Sequence, residues 1–472
     1  MPDGLANLLH DAAVLHRFVD FIEEYCKEQE RSQRYADASG LFFNYVEKLA
    51  VGVKKELTRE IRRARKFPDR LPLLRSNIRT LKNYLRLLHA LIKPATDAHT
   101  LTTPAPLIDL ASQQLQHVRG MRNSKIVILL ASEFMYFQRP HTDIKDQAQI
   151  VRTFVPNASF PPKLGFIEVP YSQGPSFFMN VAIYHEIGHF VYEELSNSGP
   201  PHPDFVTLQS ATDRSIRREF KGISKNRQAF AMVKKIVEFW TQELFCDLFA
   251  IRLVGPAFSF AFIEMLGMLG LLAEQVSVRF NPTHPAPAFR FAEHMKMLRD
   301  DSWWKAIENI DADQKNILEK LANISRAKYK FYLDDKRPGT EKVVNIFLDV
   351  VVPRIRKLIR DITPRSSTLV SSFNKERRSI EDCLRVGVVP HSRDSTALDP
   401  ISIINSAFCF YLTSLPDVVS RFEPREKHSD VAIHSLWTKR FEMWTMKAIE
   451  DSQNRDRFRK SESLWSSLGK KF

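Results

Sequence analysis

Apolar residues recur at steps of three and four in LHRFVDFIEEY and again in IRTLKNYLRLLHALI, which predicts helices through residues 1–120. Pro68, Pro72 and Pro94 punctuate them. Near Ser124 the pattern changes. KIVILLASEFMYF is rich in β-branched and aromatic residues and predicts a buried strand. GFIEVPYS, from Gly165 to Ser172, predicts a shorter strand whose Pro170 suits an edge position. Gly174 and Pro175 turn the chain, and SFFMNVAIYHEIGHFVYEEL, Ser176 to Leu195, returns to helical spacing. Another helix is expected from about Phe230 to Leu253, ended by Gly255 and Pro256. An apolar helix then runs to about Val278, followed by the loop NPTHPAP. From Phe289 onward the chain again reads as helical, with exposed breaks at Lys336 to Thr340 and Val389 to Thr396.

These elements predict a mostly α chain with a small α+β unit. The expected division is an N-terminal helical region over 1–120, an α+β unit over 121–300 and a C-terminal helical region over 301–472. In the middle unit the helix carrying HEIGH is expected beside a short sheet. A length of 472 residues accommodates several domains. With 44% hydrophobic and 26% charged residues, the chain can bury a large core and is not a disordered or low-complexity protein. No solenoid-type repeat is visible.

Charge adds one feature. The formal net charge is +14, and between Lys54 and Arg86 twelve Lys or Arg residues face three acids. Such a stretch offers a surface to nucleic acid, acidic protein or anionic lipid. A solvated helix face explains it better, because Leu57, Ile61, Leu71, Leu74, Ile78, Leu81 and Leu85 supply an apolar stripe beneath it. Nucleic-acid binding is therefore not the favoured reading. The longest apolar stretch, Ala257 to Ala273, carries Glu264 and falls short of the roughly 20 residues that span a bilayer, so no integral membrane segment is expected. The N-terminus does not read as a secretory signal. Cys26, Cys246, Cys383 and Cys409 are far apart and form no CxxC pair, which predicts a reducing, cytoplasmic compartment.

The chemistry centres on HEIGH, His185 to His189. Histidines four apart on a helix share a face and can reach one ion, and Glu186 between them can act as general base on a metal-activated water. The uncharged neighbours Ile183, Tyr184, Ile187, Gly188, Phe190 and Val191 suit a buried helix. Two histidines at this spacing by chance remain the plain alternative. Catalytic zinc commonly takes three protein ligands. A third histidine in the HExxHxxGxxH pattern is excluded, since Tyr192 and Leu195 occupy the two positions. Glu243 in QELFCDLFA is the better candidate, with Glu238 as competitor. Asp247, one turn on, can hold a ligand histidine by hydrogen bonding. Acids within so apolar a helix call for partners, unless they line a solvent face.

HEIGH followed by Glu243, Asp247 and Ala250 resembles the gluzincin metallopeptidases, closest in style to the HtpX-like and ImmA/IrrE-like peptidases. The resemblance spans about residues 170–290. It implies a zincin-like catalytic unit, zinc held by His185, His189 and Glu243, Glu186 as general base, and hydrolysis of a protein or peptide substrate. THPAPAFR, with His284, Pro285 and Arg290, is similar to a later His-Pro and arginine of several such families. On that likeness His284 stabilises the oxyanion, although a plain loop histidine is the alternative. The sequence departs from the family in a long gap between His189 and Glu243, with a basic insertion around Arg214 to Arg227. It also lacks the transmembrane helices of HtpX. A zinc-containing regulatory or binding protein with little turnover is the rival function, with nucleic acid a further candidate partner.

Overall fold

The structure is a computed structural model. It describes residues 3–31, 38–98, 104–131, 137–139, 141–170, 176–197, 201–221, 227–268, 281–308, 340–364, 366–392, 397–415, 418 and 430–469. The expected apolar helix beyond residue 268, the break at 336–339 and part of the break at 393–396 lie outside these residues.

The chain is mostly helical. It opens with α1 (Asp3–Arg31), α2 (Ala38–Lys66) and α3 (Leu71–Asp97), joined in the last case by a short helical turn at Pro68–Arg70. Phe42, Val46, Leu49, Val53 and Leu57 bury one face of α2, and Leu74, Ile78, Leu81, Leu85 and Leu88 one face of α3. Pro72 sits in the first turn of α3, where its missing N–H costs nothing. Pro94 does not end the helix as expected: α3 runs on to Asp97, because so near the C-terminus the lost bond is one of the last. Helix α4 (Ala105–Leu115) follows, then β1 (Lys125–Ala131), β2 (Phe137–Arg139), α5 (His141–Arg152) and β3 (Leu164–Pro170).

The sheet order is β1-β3-β2. Strand β1 runs parallel to β3, with Lys125 opposite Leu164 and Ala131 opposite Pro170. Strand β2 runs antiparallel, with Phe137 opposite Glu168. The single expected strand after Ser124 is thus two, both pairing with β3. Strand β3 is central rather than an edge, and buried along its length. Its Pro170 is the terminal residue, so the missing donor falls where the ladder ends.

The second half continues with α6 (Phe177–Asn180), α7 (Ile183–Asn197), α8 (Pro203–Glu219), α9 (Arg227–Val254), α10 (Pro256–Met268), α11 (Pro287–Asp300) and α12 (Trp303–Glu308). After these come α13 (Thr340–Ile346), a π-helical turn at Phe347–Val351, α14 (Val352–Ile362), α15 (Ser366–Arg385), α16 (Pro400–Thr413) and α17 (Asp430–Gly469). The helix expected from Ser176 to Leu195 is broken at 181–182, where the amides of Tyr184 and His185 donate to carbonyls only three residues back. The Ser176 hydroxyl caps α6 at the amide of Met179.

Two compact units emerge, and they differ from the expected division. One comprises residues 1–103 and 123–174, the other 104–122 and 175–472. The stretch 121–300 is therefore not one body, and the sheet belongs to the first unit while the HEIGH helix belongs to the second. The reason is packing: Val127, Leu129, Leu164 and Phe166 of the strands share a core with Phe42, Val46, Leu81 and Leu85 of α2 and α3. Nor do residues 301–472 stand apart from the HEIGH helix's unit. The Asn405 side-chain oxygen of α16 accepts from the amide of Ala257, 2.9 Å away. Arg252 of α9 pairs with Asp301 at 2.8 Å and donates to Thr363.

Candidate metal centre

Helix α7 packs along α9, and the two carry the candidate site. Gly188 sets their separation. A Cβ built there would lie 2.7 Å from the Cα of Cys246, closer than any side chain tolerates. The glycine between Ile187 and His189 therefore lets the backbones approach until donors on both helices meet.

The Nε2 atoms of His185 and His189 lie 3.1 Å apart. Glu243 brings Oε2 to 3.5 Å from the first and Oε1 to 3.5 Å from the second. Donors about 2.05 Å from a tetrahedral zinc ion are spaced by about 3.3 Å, close to the separation of the two imidazoles and to that of each from its nearer carboxylate oxygen. The outer nitrogen of His185, Nδ1, lies 2.9 Å from Oδ1 of Asp247, which turns Nε2 toward His189 and Glu243.

Asp247 is fully buried and is itself clamped. Arg290 of α11 donates to it twice, Nε at 2.6 Å from Oδ2 and Nη2 at 2.7 Å from Oδ1. The third guanidinium nitrogen, Nη1, sits 3.3 Å from Oε2 of Glu243. His294, one turn further along α11 and also fully buried, places Nε2 3.1 Å from Oδ2 of Asp247, without the alignment of a full hydrogen bond. Two carboxylates in an apolar interior are stable only with such compensation.

The charges follow. Burial opposes ionisation of Asp247 and Glu243, but the Arg290 charge and the histidine hydrogen bonds outweigh it and hold both carboxyls well below the usual range. Burial also disfavours charge on His185, yet its hydrogen bonds to Asp247 and Glu243 push it up to about 10. Burial pushes His189 down to about 4, leaving it neutral.

The other expected residues fall as follows. Glu186 is 8% exposed and precedes the Gly188 contact on α7. Glu238, the competing ligand, lies on the exposed side of α9, 3.7 Å from Lys234, and is not brought to the histidines. His284 has its side chain 51% exposed and places Nε2 3.6 Å from Oε1 of Glu243, at the rim of the cluster. Its Nδ1 is 2.8 Å from the Thr283 hydroxyl.

Two residues escaped the sequence reading. Cys246 places its sulfur within 4.8 Å of donor atoms of His185 and His189. Burial pushes its thiol well above the ordinary range. The signal was its position between Glu243 and Asp247, three residues after the proposed ligand. His294 is followed by Leu298, not by a second histidine, four residues on. The informative spacing was to Arg290, four residues earlier, since both reach Asp247 from one face of α11.

We found no match to the chain among protein-family models, curated proteins or solved structures.

Proposed function

We propose that this protein is a zinc-dependent peptidase of gluzincin type, acting on a protein or peptide substrate in the cytoplasm. The supporting observation is the triangle of donor residues His185, His189 and Glu243, in which the two Nε2 atoms lie 3.1 Å apart and each lies 3.5 Å from a different Glu243 oxygen, backed by Asp247 on the outer nitrogen of His185. In this reading α7, α9 and α11 form the zincin-like catalytic unit. A bound zinc ion would supply Lewis acidity, lowering the pKa of a water and polarising the scissile carbonyl. His185, His189 and Glu243 would hold it. Glu186 accepts a proton from the attacking water and delivers it to the leaving nitrogen. Asp247 fixes the tautomer and orientation of His185, and Arg290 keeps Asp247 ionised. His284, exposed at the rim, donates to the developing oxyanion. For the compartment, no helix among the described residues is long and apolar enough to cross a membrane, and the four cysteines are free.

Elemental analysis should find about one zinc per chain, lost in His185→Ala and in Glu243→Ala. Glu186→Gln should fold, retain zinc and lose cleavage by about 10²-fold or more, the scale of general acid–base contributions. Proteomes of cells carrying wild type and Glu186→Gln give the readout. Identical cleavage products from both would end the peptidase reading.

Cys246 favours a second reading. Its sulfur could join the triangle and close the site, as in zinc centres that hold structure and keep no open position. The protein would then be a zinc-containing regulatory or binding protein with little turnover. Loss of zinc in Cys246→Ser to the extent seen in Glu243→Ala would select it.

A further inference from the structure

The end of the α2–α3 hairpin joins exposed apolar side chains to exposed basic ones. From Arg65 to Leu73 every described side chain except Leu71 is exposed. Two of them are large and apolar: Phe67 is 55% exposed and Leu73 56%. Around them stand Arg62, Arg65, Lys66 and Arg70, all exposed. Asp69 is the only acid between Arg62 and Arg79.

Ion pairing separates this tip from the rest of the basic stretch. Lys54 is paired with Asp20 and Glu23 of α1, Arg59 with Glu56, and Arg63 with Glu60 at 2.7 Å. Arg62, Arg65, Lys66 and Arg70 pair with no acid among the described residues. Uncompensated positive charge therefore gathers where the apolar side chains stand out.

We infer that the tip of this hairpin docks on an anionic lipid surface, with Phe67 and Leu73 entering the interface and Arg62, Arg65, Lys66 and Arg70 meeting the headgroups. An interfacial site needs both an apolar wedge and cations, and either alone binds weakly. A nucleic acid would use the cations and could stack a base on Phe67, but it has no use for an exposed aliphatic Leu73. A bilayer accommodates both. Each lysine or arginine close to an anionic leaflet strengthens partition by about fivefold, so four of them give more than two orders of magnitude. The surface lies in the first unit and does not depend on the metal-site reading.

The test is sedimentation of the full chain with vesicles of phosphatidylcholine alone or with about 30% phosphatidylserine. Binding is expected to the anionic vesicles only and to fall as salt rises. Phe67→Ser/Leu73→Ser should weaken it about tenfold or more. Replacing Arg62, Arg65, Lys66 and Arg70 with alanine should abolish it, while arginine-to-lysine changes should preserve it. All these side chains are exposed, so circular dichroism and zinc content should match wild type. Equal binding to both vesicle types, no binding to either, or a tight salt-sensitive affinity for a single-stranded oligonucleotide without vesicle binding would each overturn the proposal.

Discussion

The two units differ in how much charge they bury. In the first, the core of α1, α2, α3 and the sheet pairs the Tyr45 and Tyr84 hydroxyls 2.7 Å apart, and Glu168 of β3 is its one buried charged side chain among the described residues. In the second, the contact between α7, α9 and α11 holds two carboxylates, an arginine and three histidines. Folding alone does not call for that arrangement, since apolar residues of similar volume pack as well or better. A cluster of ions that is costly to bury and satisfied at nearly every atom points to chemistry. The second unit gathers its densest buried charge at the metal site proposed above.

The sharpest way to break this comparison is Arg290→Met. It leaves Asp247 without its main compensation and Glu243 without part of its own, and should cost about 3–5 kcal/mol of the second unit's stability. Thermal unfolding should show that loss with the first unit's transition unmoved. Gly188→Ala comes next. Its Cβ meets the Cα of Cys246 at 2.7 Å, so the helices must part, at about 1–3 kcal/mol together with weakened zinc affinity by titration. Tyr84→Phe strands the Tyr45 hydroxyl in the first core and should cost about 1–2 kcal/mol without touching metal content. Asp247→Asn keeps the shape of the clamp but loses its charge, and should weaken zinc about 10- to 100-fold in a competition assay. Lys54→Ala, at the surface of the first unit, should change stability by less than about 1 kcal/mol despite its two ion pairs, because water screens them.

Helices α2, α3, α7 and α9 are legible in the sequence, since their apolar positions repeat at helical spacing and turn residues stand near their ends. The grouping of those helices is not. The apolar residues of β1 and β3 announce burial but not the neighbour that buries them, and α2 and α3 do so from far away in the chain. The same limit governs the site. His185 and His189 are readable as a pair because one helix fixes their spacing. The Glu243 and Asp247 positions are readable because acids in an apolar helix need partners. The identity of those partners, Arg290 and His294, depends on how α11 crosses α9, which no local pattern records. Cys246 hid for a different reason: a small buried cysteine looks like core until its neighbours are known.

Gly188 has a consequence for the spacing of the triangle's donors. Donors on two helices act as a caliper whose gap is set by helix separation. At 3.1–3.5 Å the gap suits bonds near 2 Å. Calcium takes about six to eight oxygen ligands, so it is the two imidazole donors, not the width of the jaws, that select against it. Holding the jaws closed is the close contact of a glycine with the backbone of Cys246. A residue with no side chain thus sets the spacing of the donors that the proposed ion would meet.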